Sequence, residues 1–291
     1  MNSSKFKEKQ LKYLDSLLNC SPTEIEYLCN NIQSYYGKRV EQKKDKTTGK
    51  VKTFLDGTPK FRIIRPSYRR LKEIQKAIKN NILAKVELPE NVQGGVKKKS
   101  NISNARRHKG NKYQFTTDLL NFFPRINHNN IFSMFLRIGY SNHIAYWLTK
   151  LTSIEFELPQ GTPTSTHIAN LVFLPTDYKL ISLANKNNLV YTRYVDDITL
   201  SSQQDFKQEI NEILRVIESN GFKISFRKTK YHGDQIITGI QVFNNYIDAP
   251  ETIKSKVKNE RVVQPLQKPY TSYLSRIHDA NKKKSKKKIL K

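Results

Sequence analysis

Leu189-Val190-Tyr191-Thr192-Arg193-Tyr194-Val195-Asp196-Asp197-Ile198-Thr199-Leu200-Ser201 is the stretch on which the reading turns. Two β-rich runs, Leu189 to Tyr194 and Ile198 to Ser201, flank Val195-Asp196-Asp197, which predicts an antiparallel hairpin with acids at its tip. Two carboxylates held together between apolar runs are costly unless a cation lies between them, and a divalent metal is such a cation. Side chains alternate faces along a strand, so only a tight turn brings both acids to one ion cluster. An exposed Asp-Asp turn is the bland alternative, and the tetrapeptide alone does not exclude it.

Asp118 shifts the balance. It is a second isolated acid in an apolar strand, expected over Phe115 to Leu120, and Phe123 follows five residues later. Hard oxygen ligands from two strands suit a pair of Mg²⁺ ions, the arrangement that clamps attacking and leaving oxygens in phosphoryl transfer. A ring just beyond such a ligand can close the space where a ribose 2′-OH would lie, although taken alone Phe123 reads as a core aromatic.

Composition agrees with a polyanionic partner. The 291 residues suggest about two domains, and 52 Lys and Arg against 25 Asp and Glu leave a net charge of +27, so nucleic acid is the default partner. Hydrophobic residues reach only 37%, yet 15 Tyr and 14 Phe are too many for a disordered chain. With Cys20 and Cys29 the sole cysteines, nine apart in a stretch that reads as helical, neither a disulfide framework nor a four-ligand zinc site is expected. No apolar run approaches a membrane span and the first ten residues are charged, so a cytoplasmic protein with no membrane partner is expected.

Periodicity supplies the elements. Helices are expected at Phe6 to Leu18 and after Ser21-Pro22-Thr23-Glu24, a capping box with Pro at the first helical position. Arg39 to Lys52, around Thr47-Thr48-Gly49, reads as an exposed hairpin or loop. Lys60 to Arg65 reads as a half-buried strand with Lys60 and Arg62 on one face, and an amphipathic helix follows from Leu71 to Ile82. Gly94 to Gly110 is so basic that a loop facing a polyanion is expected. One helix is predicted over Ile131 to Leu151, and the turn at Pro159-Gln160-Gly161-Thr162-Pro163 feeds another. Phe206 to Glu218 is read as helix, Lys223 to Phe226 and Gln235 to Phe243 as strands, and Ile253 to Val263 and Tyr270 to Ala280 as helices before a tail with seven Lys in its last ten residues.

In order along the chain, Asp118-Leu119-Leu120-Asn121-Phe122-Phe123, Leu158 to Pro163, Tyr194 to Asp197, and Gly221-Phe222-Lys223 with Lys228 resemble motifs A to D of a reverse transcriptase. The resemblance spans about Phe61 to Asn244. Asn104-Ala105-Arg106-Arg107-His108 further resembles the Asn-Ala-x-x-His element of retron reverse transcriptases, and Ile237-Thr238-Gly239 is similar to their Val-Thr-Gly element. The resemblance implies an α+β right-hand polymerase: amino-terminal helices over 1–36, fingers over 37–114 with part of a helical insertion at 125–160, a palm of antiparallel sheet packed by helices over 115–244, and a short helical thumb with the lysine tail over 245–291.

It also implies roles. Asp118, Asp196 and Asp197, with the Leu119 backbone carbonyl, would hold two Mg²⁺ ions, and Phe123 would gate the 2′-OH. Lys60 and Arg62 would meet the triphosphate of the dNTP substrate, Arg62 the better suited through its planar fork. Gln160 and Gly161 would lie along the nucleotide, and Lys228 would protonate pyrophosphate. Asn104, Arg106 and Arg107 would contact RNA and His108 would take a structural or RNA-contact role, while the placement of Tyr270, Tyr273, Arg276 and His278 on the last expected helix suits stacking on or clamping an RNA stem. Implied partners are a structured noncoding RNA, its cDNA and an effector protein from the same locus. The implied activity is DNA synthesis primed from an internal guanosine 2′-OH, giving a branched RNA-DNA product used against phage. Another defence or group II intron-like reverse transcriptase is the alternative, favoured less for want of a long maturase or endonuclease region. A nonenzymatic RNA-binding scaffold is a further one.

Overall fold

The computed structural model describes residues 12–44, 50–54, 56–232, 235–263 and 268–282. The start of the first expected helix, the Thr47-Thr48-Gly49 loop and the lysines beyond Lys282 lie outside them. Contacts divide the chain into two units that interleave in sequence: residues 1–89 with 121–175, and residues 90–120 with 176–291.

In the first unit the helix Pro22–Asn30 starts as its sequence dictates, with the Ser21 hydroxyl accepting from the Glu24 amide. The box is only half closed, because the Glu24 carboxylate pairs with Arg70 at 2.7 Å instead of turning back. Strands β1 (Arg39–Gln42) and β2 (Phe61–Ile64) form an antiparallel ribbon. β2 is expected half-buried but is mostly exposed, with Phe61 and Ile63 open to solvent and β1 as its strand partner among the described residues. Helix Arg69–Asn81 buries Leu71, Ile74 and Ile78 on one stripe, each worth about 1.5–3 kcal/mol of transfer free energy. Gln75 in that stripe donates to Tyr36 Oη at 2.8 Å and to the Leu151 carbonyl at 2.9 Å.

The single helix expected over Ile131 to Leu151 is two, His128–Arg137 and Asn142–Thr152. Gly139 at φ +99° breaks it, and Ser141 caps the second piece. The long helix Ser165–Lys186 carries Pro175 in its interior. That proline has no N–H for the Leu171 carbonyl, and the Arg137 guanidinium donates to it instead.

The second unit holds the larger sheet, β3 (Tyr113–Asp118), β4 (Val190–Tyr194), β5 (Asp197–Ser202) and β6 (Lys230–His232), in the antiparallel order β4-β5-β3-β6. Helix Ile210–Ser219 follows, as expected. Lys223 to Phe226, expected as a strand, makes one bridge, Leu119 to Ile224, and then winds into a 3₁₀ turn over Phe226–Lys228. The strand expected over Gln235 to Phe243 is a hairpin, β7 (Gln235–Ile237) and β8 (Ile240–Val242), joined by β9 (Ile247–Asp248). Thr238 and Gly239 connect β7 to β8 with φ of +47° and +82°, both positive as a type I′ turn requires.

The basic stretch from Gly94 to Gly110, expected as a loop, contains a helix, Asn101–Arg106, capped by Ser100. Its Ile102 and Ala105 share a core with Ile237, Ile240, Val242, Ile247 and Ala249 of the small sheet and Ile277 of helix Pro269–Asn281. No helix among the described residues is long and apolar enough to cross a membrane.

Candidate active site

β4 and β5 are joined by Val195 and Asp196 alone, with Tyr194 opposite Asp197. Val195 has φ +60°, the positive value a two-residue II′ connection needs at its first position and one a β-branched residue adopts only under restraint. On the neighbouring strand Asp118 stands directly opposite Asp197. Side chains of such a pair share a face with Cβ atoms about 5 Å apart, so the register brings the two carboxylates together. Asp196 joins them from the turn, while its carbonyl accepts from the Leu119 amide at 2.9 Å. Ser225 N donates to the Asp118 carbonyl at 2.8 Å and Leu120 N to the Lys223 carbonyl at 2.7 Å, fixing the end of β3.

One oxygen from each of Asp118, Asp196 and Asp197 lies within 4.8 Å of the others. Burial, then the charges of Asp196 and Asp118, raise the Asp197 carboxyl well above the ordinary carboxylate range. Three acids crowded this closely call for a positive partner, and Lys228 supplies one, its Nζ 2.5 Å from Asp118 Oδ2. An all-oxygen set of three carboxyl groups with a cation already drawn to it suits hard divalent ions. The residues therefore fit a metal site, with Asp118, Asp196 and Asp197 as holders.

The other expected substrate residues belong to the first unit. Phe122 is buried edge-on against Phe173, whereas Phe123 is only half-buried, its ring 5.7 Å from that of Phe122. Phe122 is thus the core aromatic and Phe123 the accessible one. The Gln160 carbonyl accepts from Arg65 N at 2.7 Å, and a Cβ on Gly161, at φ +108°, would lie 2.7 Å from the Ile64 side chain. The turn at Pro159 to Pro163 is therefore laced to the end of β2. Arg62 is exposed on β2, and Lys60, one residue before the strand, lies 4.8 Å from the Phe54 ring centre. Arg65, which the sequence reading passes over, bonds Glu155.

Two of the residues expected at an RNA surface are buried instead. Asn104 is inside and its amide donates to Thr238 Oγ1 at 3.3 Å, so the two short elements carrying the retron resemblance meet in the core. His108 has no exposed surface; its ring nitrogens lie 2.7 Å from Thr192 Oγ1 on β4 and Ser201 Oγ on β5. It ties together the two strands that present Asp196 and Asp197. The reason for the correction is burial: Asn104 sits in helix Asn101–Arg106 and His108 in the turn that follows, both facing the interior, while Arg106 and Arg107 between them stay exposed. Those two arginines, with Arg276, Ile102, Ser103 and Ala280, line an open cleft of about 590 Å³. Tyr273 accepts from Asn101 at 2.6 Å, Tyr270 and Arg276 are exposed, and His278 lies 3.3 Å from Asp248.

Residues 42–274 match the family of reverse transcriptases (RNA-dependent DNA polymerases). The chain is 35% identical over 185 residues to the retron Ec86 reverse transcriptase of Escherichia coli, covering 62% of this chain and 58% of that one. It is 30% identical over 238 residues to the retron Se72 reverse transcriptase of Salmonella heidelberg, covering 79% and 59%. It therefore spans somewhat under two thirds of the length of these two relatives. A telomerase from Candida albicans, solved with a fragment of telomeric RNA, superposes with a TM-score of 0.51 at 10% identity, covering 97% of this chain and 59% of that one. That likeness shows the fold, an α+β right-hand polymerase. With the retron Ec73 reverse transcriptase of Escherichia coli it shares 32% identity over 224 residues, covering 67% of this chain and 69% of that one, and the chain belongs to the reverse transcriptases and, among them, to the retron group.

Proposed function

We propose that the protein is the RNA-directed DNA polymerase of a retron, which copies part of a structured noncoding RNA from its own locus into single-stranded DNA. The convergence of Asp118, Asp196 and Asp197 within 4.8 Å carries this reading. Two Mg²⁺ ions held there would lower the pKa of the attacking hydroxyl and stabilise the charge on departing pyrophosphate. The chain's own residues do the rest. The three carboxylates, with the Leu119 carbonyl, fix where the reacting oxygens gather. Arg62 and Lys60 bind the dNTP triphosphate, Gln160 and Gly161 line the nucleotide and template base, and Phe123 excludes a 2′-OH. Lys228, already at the edge of the acidic cluster, donates a proton to the leaving pyrophosphate.

The RNA is bound by Arg106, Arg107 and Arg276 at their cleft, with Tyr270 and His278 on the last helix. Synthesis begins from a guanosine 2′-OH of that RNA, so the product is branched, and in the cytoplasm it acts with an effector protein against phage. The family match and the identities to two retron enzymes support this reading. The test is to purify the protein with its co-expressed RNA and add Mg²⁺ and labelled dNTPs. Label that stays with the RNA until a debranching enzyme cuts the 2′–5′ bond is the expected result. Label in unbranched DNA would overturn retron priming, and no incorporation would overturn the polymerase.

A further inference from the structure

Beside the acidic turn lies a buried ion pair to which the chemistry above gives no part. Arg193 on β4 and Asp177 on the long helix are both fully buried. The guanidinium grips the carboxylate with two bonds, Nη2 to Oδ2 at 2.6 Å and Nε to Oδ1 at 2.9 Å, and Tyr191 Oη donates to the same Oδ1 at 2.6 Å. Its remaining arm, Nη1, donates to the Val195 carbonyl at 2.9 Å. That carbonyl belongs to the peptide leading directly into Asp196. The backbone of Arg193 is pinned as well: its amide donates to the Asn91 carbonyl at 2.9 Å and its carbonyl accepts from Gln93 N at 2.8 Å.

A buried salt bridge is a poor way to gain stability, since apolar residues of like volume serve as well or better. What Arg193 offers that an apolar side chain cannot is a rigid fork with one end fixed on Asp177 and the other on the turn. The turn needs such a hold. Val195 keeps φ +60°, and three carboxylates repel one another around it. We propose that Arg193 and Asp177 are positioning residues: they fix the Val195–Asp196 peptide so that Asp196 and Asp197 converge with Asp118 before any ion arrives. The proposal rests on the metal-dependent polymerase reading above.

The full chain is tested as Arg193→Lys, which keeps the charge but cannot span Asp177 and Val195, and as Asp177→Asn, which keeps the shape. Mn²⁺ binding followed by electron paramagnetic resonance, without nucleotide, reads the metal site. Binding of a poly(rA)/oligo(dT) duplex by fluorescence anisotropy reads the folded state. At least a tenfold loss of Mn²⁺ affinity is expected in both variants, with duplex binding within twofold of the parent. The Mg²⁺ needed for half-maximal dTTP incorporation should rise in parallel, while KM for dTTP at saturating Mg²⁺ stays put. Adding Val195→Gly to the Arg193→Lys background should restore most of the affinity, because glycine holds φ +60° without strain. Should one variant not fold, the other carries the test. Lowered thermal stability with Mn²⁺ affinity unchanged would overturn the proposal. A parent protein that neither binds Mn²⁺ nor incorporates dTTP would overturn the underlying polymerase reading instead.

Discussion

His108 illustrates how a single side chain can be read correctly for its type and wrongly for its place. In a basic stretch it reads as an RNA contact or a structural group; in the fold it is the latter, a buried bolt between β4 and β5. Burial lowers its pKa from 6.5 to about 3, so it stays neutral inside while an unfolded chain would protonate it. The stability this confers is complete above the unfolded pKa. It is lost progressively as pH falls from about 6.5 towards 3. His108→Gln should flatten the pH dependence of urea unfolding in that window, and an unchanged slope would contradict the assignment. Gly94 is a second such residue. A Cβ there would lie 2.4 Å from Val195 N, and backbone cannot step aside as a flexible side chain can, so Gly94→Ala should cut dTTP incorporation while duplex binding persists. Kinetics beside anisotropy would check it. The three acids were legible because isolated carboxylates in apolar strands are rare. Arg193 and Asp177 carry the same signal, a charge inside an otherwise apolar run, but the sequence does not say which charges face each other in the interior.

At the scale of elements, periodicity located most helices and the β4–β5 hairpin, because those depend on neighbours in the chain. It failed where a short-range signal was overruled by a backbone requirement. Gly139 split one expected helix, Thr238 and Gly239 folded one expected strand into two, and a basic segment became helical once Ile102 and Ala105 found a core. The long helix shows the reverse: Pro175 should weaken it, yet the turn continues because Arg137 satisfies the Leu171 carbonyl. Arg137→Met should leave that carbonyl orphaned and cost about 1–3 kcal/mol in chemical denaturation, and a neutral result would show that water serves equally well. Helix Pro269–Asn281 lacks a capping side chain at Lys268 and borrows the Glu260 carboxylate, which accepts from Tyr270 N at 2.9 Å and Thr271 N at 2.8 Å. Glu260→Ala should speed hydrogen exchange in the first turn of that helix and spare its core-facing end at Ile277.

Over the whole molecule, the division into two units was not legible, since the chain leaves the second unit at Asn121 and returns to it at Thr176. No composition shift marks either crossing, and one falls inside a continuous helix. Net charge, by contrast, is a property of the whole that the sequence states outright, and +27 implies binding governed by counterion release. Affinity for a single-stranded RNA should fall steeply with salt. Replacing Arg106, Arg107 and Arg276 together by Ala should lower the log-log slope by about two to three, at about 0.7–0.9 per lost phosphate contact. An unchanged slope would remove that cleft from the RNA path. The most direct measurement follows single-nucleotide incorporation on poly(rA)/oligo(dT) with Mg²⁺ for the parent chain and for Asp196→Asn, a change that leaves shape but takes away one anionic ligand. The parent should extend the primer, and the variant should lose more than the about 100-fold that weakening an outer contact to a metal ligand can cost. Extension by the variant at the parent's rate would mean that the three acids do not form the catalytic centre.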